Sequence, residues 1–217
     1  MEENQWILER EESQQFPSVL HGMKYEEELA TRLRAICMIE CVGNRLELPP
    51  YAIASACTLF HRFYTRRSFF DYNGAKIAQA CIFVACKSEE SARRPQDIAR
   101  SWLYTPDEIV EDEKIEAFVV DLLYYEYIVL EITCFDLQID HPYCDLFHFA
   151  DETFALAYIN DSYRLPMCLW YVPRAIAAAA LIMAFQGQDL EFPLDPETLW
   201  GQFLIENGSI IGGKCIR

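Results

Sequence analysis

The stretch AKIAQACIFVACKSEESARRP, residues 75–95, decides how the chain is read. From Ala75 to Cys86 nearly every residue is apolar, and no solvent face emerges at helical spacing. A helix of that kind is buried on all sides, as the central member of a helical layer must be. It stops at Lys87, and Glu89, Glu90, Arg93 and Arg94 follow at once. Buried helices normally hide their ends. The charged exit therefore either feeds a private salt-bridge network or faces something outside the chain.

The 217 residues give room for one large domain or two small ones. With 52% apolar and 14% aromatic residues the chain is globular. A formal charge of −16 argues against a phosphate-backbone partner, which requires clustered Lys and Arg, and suits solubility or a basic partner. Nine cysteines, an odd number scattered through apolar stretches, point to a reducing compartment, cytosol or nucleus. The start, MEENQWILEREESQQ, has no basic region followed by an apolar one, so no secretory signal is expected. The longest apolar stretch, AIAAAALIMAF, is too short to span a bilayer, and no membrane partner is expected.

Working outward from residues 75–95, Asn73-Gly74 marks the preceding turn, and Pro49-Pro50 opens a helix through Ala54, Cys57, Phe60 and Tyr64. Before it, Tyr25 to about Cys41 carries Leu29, Leu33, Ile36 and Ile39 at a period near 3.6, with Glu26 to Glu28 at the positive helix end. An arm, residues 1–24, precedes this helix and holds Trp6 and Phe16-Pro17-Ser18. Downstream, Pro95 starts a short helix with Ile98 and Trp102. YTPDEIVEDEK is a polar, acidic loop or helix start. A long helix from Lys114 to about Cys134 then ends near FDLQIDHP, where His141-Pro142 breaks the pattern.

AKIAQACIFVACK (75–87) aligns without a gap on RAIAAAALIMAFQ (174–186). Two Ala-rich buried helices can match this well by composition alone; their similar settings, each after an aromatic-containing run, favour a tandem repeat. Lys87 is matched by Gln186, so only the first copy carries the charged exit.

In the long helix, Ile115, Phe118, Val119, Leu122, Leu130, Thr133 and Leu137 form an apolar stripe with Glu126 in its middle. Lys87 and Glu126, of opposite sign, thus both stand where pattern predicts apolar residues. Either they satisfy each other in a partly buried structural pair, or two neighbouring helices present both at one rim for a partner.

HRFYTRRSFFDYNGAKIAQACIFVACKSEESARRPQDI, followed by EITCFDLQIDHPY, resembles the cyclin box, especially that of the transcriptional T, K and L group. FPSVLHGMKYEEELATRLRAICMI is similar to that group's opening segment, and the resemblance covers roughly residues 6–150. It implies an all-α fold of tandem five-helix cyclin boxes, with a first box at 25–137 and a second, shortened or incomplete one at 138–217. It also implies a non-catalytic subunit, without cofactor or metal, that binds and activates a cyclin-dependent protein kinase. Lys87 and Glu126 become the leading kinase contacts, with Leu130, Phe135 and Leu137 as apolar neighbours and Glu89 and Glu90 as weaker candidates. The implied substrate is the repeated C-terminal tail of RNA polymerase II, and the implied compartment is the nucleus.

Other signals carry less. Cys37-x-x-x-Cys41 and His141-x-x-Cys144 lack the four closely spaced ligands of a structural zinc site. RLRAIC (32–37) resembles the substrate-docking motif of cell-cycle cyclins and is expected to pack into the core. His61 and His148 sit in aromatic surroundings and suggest packing. Arg66-Arg67 and Arg93-Arg94 are too few for a nucleic-acid footprint and read as a solvated rim. Two rivals remain: a general-transcription-factor-like protein with the same fold that binds DNA or other proteins, against which the acidic balance speaks, and a metal-dependent all-α enzyme, which would need aspartate-rich helical motifs. In the second box, HPYCDLFHFADETFALAYINDSYRLP is short for its helices, and GQFLIENGSIIGGKCIR after Trp200 is Gly-rich. Residues 138–217 are therefore expected to exchange amide hydrogens faster than residues 25–137; equal protection would refute a weakened second core.

Overall fold

The computed structural model describes residues 5–106, 109–146 and 152–188, so His148 and the stretch after Trp200 lie outside it. The chain divides into two compact units, Met1–Ile139 and Asp140–Arg217. The described residues of the first form five longer helices: α1 (Tyr25–Arg45), α2 (Pro50–Arg66), α3 (Gly74–Ser88), α4 (Pro95–Trp102) and α5 (Asp112–Ile132). One-turn elements at Arg10–Gln15 and Pro17–Leu20 precede them.

The helix starts follow local chemistry. Pro50 and Pro95 stand in the first turns of α2 and α4, where a missing N–H costs nothing. The Asn73 side chain accepts hydrogen bonds from the Ala75 and Lys76 amides and so caps α3. α3 is the centre of the unit, packed against α1, α2, α4 and α5. Its residues from Ile77 to Cys86 are all buried, as an all-round apolar helix requires. The Cys81 thiol, wholly buried there, is pushed up by desolvation and is inert packing.

α1 departs from the expected stripe. Leu33 is 39% exposed, and its place in the buried face is taken by Glu28 and Arg32 together with Ala35, Ile36, Ile39 and Val42. The two charges make this possible by pairing at i,i+4, with Arg32 Nε 2.7 Å from Glu28 Oε1 and both side chains fully buried. Arg32 then reaches across to α2, donating to the His61 carbonyl at 3.0 Å and to the Tyr64 carbonyl at 3.0 Å. The Tyr64 carbonyl belongs to the last turn of α2, where no intrahelical donor exists, so a side chain from α1 fills the vacancy. The guanidinium also lies 4.6 Å from the Phe16 ring centroid, which ties the arm to the same point. Burial pushes the Glu28 carboxyl up in spite of Arg32, and its Oε2 has no hydrogen-bond partner among the described residues. RLRAIC is accordingly split: Arg32, Ala35 and Ile36 enter the core, whereas Leu33, Arg34 and Cys37 face solvent.

α5 begins two residues before the expected Lys114 and ends at Ile132. Its buried stripe is Ile115, Phe118, Leu122, Ile128, Val129 and Ile132, with Thr133 just beyond. Leu130 and Leu137 are half-exposed, so the expected stripe is rotated, and Glu126 lies at its edge instead of its middle.

In the second unit, α6 (Glu152–Ser162) packs on α7 (Pro173–Gly187). α7 and α3 are each 15 residues long and begin and end at aligned positions of the repeat found in the sequence. Unlike α3, α7 keeps an open side with Arg174, Met183 and Gln186 exposed.

The buried pair supplies a test. Arg32→Met should lower stability by about 3 kcal/mol or more, because it strands a buried carboxylate. Adding Glu28→Gln should restore part of that loss in urea unfolding; a double variant no better than the single one would show that the carboxylate is not the source.

Candidate functional site

Lys87 stands in the last turn of α3, just past the continuously buried run. The helix is closed by Ser91 N–H donating to the Cys86 carbonyl at 2.9 Å and Glu90 N–H donating to the Lys87 carbonyl at 3.3 Å. This is a glycine-type C-terminal cap made without glycine, since Glu90 takes a left-handed φ of 52°. The bend turns the chain away and leaves the lysine at the surface.

Lys87 Nζ lies 2.6 Å from Glu126 Oε1 on α5 and 4.0 Å from the Phe83 ring centroid. The Lys87 side chain is 51% exposed and that of Glu126 15%, so the two charges are paired yet open on the lysine side. Both readings of the sequence are thus partly realised: the pair is internal to the chain, and it sits at a rim. An ammonium carries three donors, and solvent-facing ones are available to a second acceptor.

The remaining expected contacts separate into groups. Leu130 lies one turn beyond Glu126 and is half-exposed. Phe135 is 65% exposed in the turn after α5, and Leu137 follows, half-exposed. Glu89 is braced from within: its Oε1 accepts from Ser55 Oγ of α2 at 2.6 Å. Glu90 is exposed at the left-handed bend.

The turn carrying Phe135 is the least ordinary backbone of the unit. Cys134 and Phe135 both have φ of 57°, two consecutive non-glycine residues in the left-handed region. Phe135 N–H donates to the Leu130 carbonyl at 2.9 Å, and Thr133 Oγ1 to the Val129 carbonyl at 2.8 Å. Groups remote in sequence hold the rest. Arg66 Nη1 donates to the Ile132 carbonyl at 3.0 Å and to Cys134 Sγ at 2.8 Å, and Arg62 Nη1 donates to the Asp136 carbonyl at 3.1 Å. The Asp136 carboxylate accepts from Trp6 Nε1 at 2.7 Å and from Gln5 Nε2 at 3.0 Å. The Trp6 hydrogen bond is the main reason that carboxyl is held below its usual range.

Sequence reading missed Trp6, Arg62, Arg66 and Asp136, and it misjudged the arginines. Arg66 is half-buried in the contacts above, and Arg93 donates to the Leu46 carbonyl through Nε at 3.2 Å and Nη2 at 3.1 Å. Only Arg67 and Arg94 of those pairs are exposed, the latter bonded to Asp97. A buried guanidinium serves carbonyl groups whose positions no linear pattern displays. The visible hints were Trp6 in the arm and arginines inside the apolar second helix. Among the described residues no group of three His, Cys, Asp or Glu side chains is arranged to hold a metal ion.

The family described as Cyclin, N-terminal domain matches residues 4–131. Cyclin pch1 of Schizosaccharomyces pombe is 35% identical over 202 residues, covering 86% of this chain and 59% of that protein. Human Cyclin-T1 is 28% identical over 208 residues, covering 88% of this chain and 28% of that protein. The chain therefore spans little more than half of the first relative and under a third of the second. A chain of the yeast RNA Pol II CTD kinase CTDK-1 complex superposes with a TM-score of 0.73 at 18% identity, covering 86% of this chain and 64% of that one. A chain of the yeast TFIIK (Kin28/Ccl1/Tfb3) complex does so with a TM-score of 0.66 at 21% identity, covering 93% and 87%. With a buried central helix, its charged exit and a matching family domain, this chain belongs to the cyclin family.

Proposed function

We propose that this chain binds and activates a cyclin-dependent protein kinase that phosphorylates the C-terminal domain of RNA polymerase II in the nucleus. The observation that carries the reading is the half-open Lys87–Glu126 pair at 2.6 Å, at the rim where α3 ends beside α5. Leu130 on α5, and Phe135 and Leu137 in the turn after it, add partly exposed apolar surface. A charged pair beside exposed apolar groups suits a partner helix, which offers both main-chain carbonyls and side chains. Names of similar chains support the reading, since CTDK-1 is described as an RNA Pol II CTD kinase complex.

The chain supplies no chemistry of its own in this scheme. It acts as a ligand with higher affinity for the active kinase conformation, in which the kinase's mobile helix brings its glutamate to the ATP-positioning lysine. Stabilising that conformation by a few kcal/mol is enough to move the kinase from mostly inactive to mostly active. The organisation that goes with it is an arm at 1–24, a first cyclin box at 25–137 that docks the kinase, and a shortened second box at 138–217. The DNA-binding alternative is disfavoured by the charge of −16, which would repel phosphates.

The test is affinity for a panel of purified transcriptional kinase subunits, yeast Kin28 included. Lys87→Glu and Glu126→Ala should each weaken the tightest complex by about tenfold or more. They should also lower the kinase's activity on a tail-repeat peptide, with circular dichroism unchanged. Wild-type affinity in both folded variants would remove the site; loss of fold in both would make the pair structural.

A further inference from the structure

We infer that the amino-terminal residues Gln5 and Trp6 act as a clamp that holds the 133–137 turn in the shape that presents Phe135 and Leu137 to the kinase. This rests on the docking reading above. It assigns Trp6 and Asp136 as positioning residues, neither of which need touch the partner.

The turn needs such a clamp. Two adjacent left-handed non-glycine residues, Cys134 and Phe135, cost about 1 kcal/mol or more each relative to ordinary backbone. Five hydrogen bonds join this segment, from Ile132 to Asp136, to side chains more than sixty residues away in sequence. One comes from Trp6 itself, one from its neighbour Gln5, and three from the two arginines packed against the Trp6 ring. Its ring, 3% exposed, lies 4.2 Å from the Arg66 guanidinium carbon and 5.0 Å from that of Arg62. Its Nε1 donates to Asp136, and its neighbour Gln5 bonds both that carboxylate and Arg66 Nη2, the latter at 3.0 Å. One indole therefore holds the two arginines and the aspartate in a single arrangement.

Asp136 sits between Phe135 and Leu137, so its carboxylate is the handle by which the clamp sets both neighbours. Phe135, at 65% exposure, has little packing of its own to keep it in place. Releasing the carboxylate would let the turn relax towards extended backbone. The apparent kinase affinity would then fall in proportion to the fraction of chains still holding the docking shape.

The experiment uses the full chain and the tightest-binding kinase subunit of the panel. Trp6→Ala should raise amide exchange at Thr133 and Phe135 at least tenfold, leave α3 protection unchanged, and weaken kinase binding about fivefold or more. Trp6→Phe keeps a ring over the guanidinium groups but lacks the N–H, and should fall between the two; with Asp136→Asn it carries the test should Trp6→Ala fail to fold. Because the clamp acts through Phe135 and Leu137, Trp6→Ala added to the Phe135→Ala, Leu137→Ala double variant should cost no further affinity. Additive losses, unchanged exchange in the turn, or loss of protection spread evenly over α1 to α5 would each overturn the clamp. Lys87→Glu separates the two readings: should it bind like wild type, docking at this rim fails, while exchange in the turn still reports on the clamp.

Discussion

A helix with no solvent face can show charge only where it ends, and that constraint organises the first unit. α3 is enclosed by its neighbours from Ile77 to Cys86, so its charges stand only at its ends, Lys76 at the start, paired with Asp121 of α5, and Lys87 at the exit. The lysine needs a counter-charge close by, and the neighbouring α5 offers Glu126 at the margin of its own buried stripe. Packing thus decides where the pair stands, and the pair's half-exposure follows from the helix ending at that point.

Arginine does much of the fastening in this fold. Arg32, Arg62, Arg66 and Arg93 all donate to main-chain carbonyls contributed by other segments. Each supplies donors in a planar fork that a lysine cannot reproduce. Several of these carbonyls lie near helix ends or in turns, where the backbone has no partner of its own. The result is a helical layer whose ends are tied by side chains as firmly as its middle is held by apolar contact. The same device links the arm to the unit at two points, Phe16 beneath Arg32 and Trp6 beside Arg62 and Arg66.

How far the sequence could be read depended on whether a residue's role was local. Asn73 capping α3, proline in the first turns of α2 and α4, and the unbroken burial of α3 are local matters, and they were legible. Leu33 fits the apolar stripe by spacing, yet it is partly exposed because Glu28 and Arg32 neutralise each other and occupy the buried face. The pattern rule fails there for a physical reason: it treats each charge singly, while burial depends on the pair. Spacing through Leu130 and Leu137 puts Glu126 in mid-stripe, whereas the buried face follows Val129 and Ile132 and leaves it at the edge. Arg66 and Arg93 look like surface residues in the sequence because their partners are carbonyls distant along the chain.

Residue order alone determined the helical class, the order of the five helices in the first unit and the resemblance to the cyclin box, because periodicity and turn chemistry are carried by neighbouring residues. It also singled out Lys87 and Glu126, through charge where burial was expected. Tertiary structure decided that the two meet at 2.6 Å with the lysine still open. It alone also brought Trp6 onto Asp136, an approach across 130 positions that depends on how the arm and the α2 arginines pack. Contacts of that span are set by the packed whole, and no local pattern encodes them.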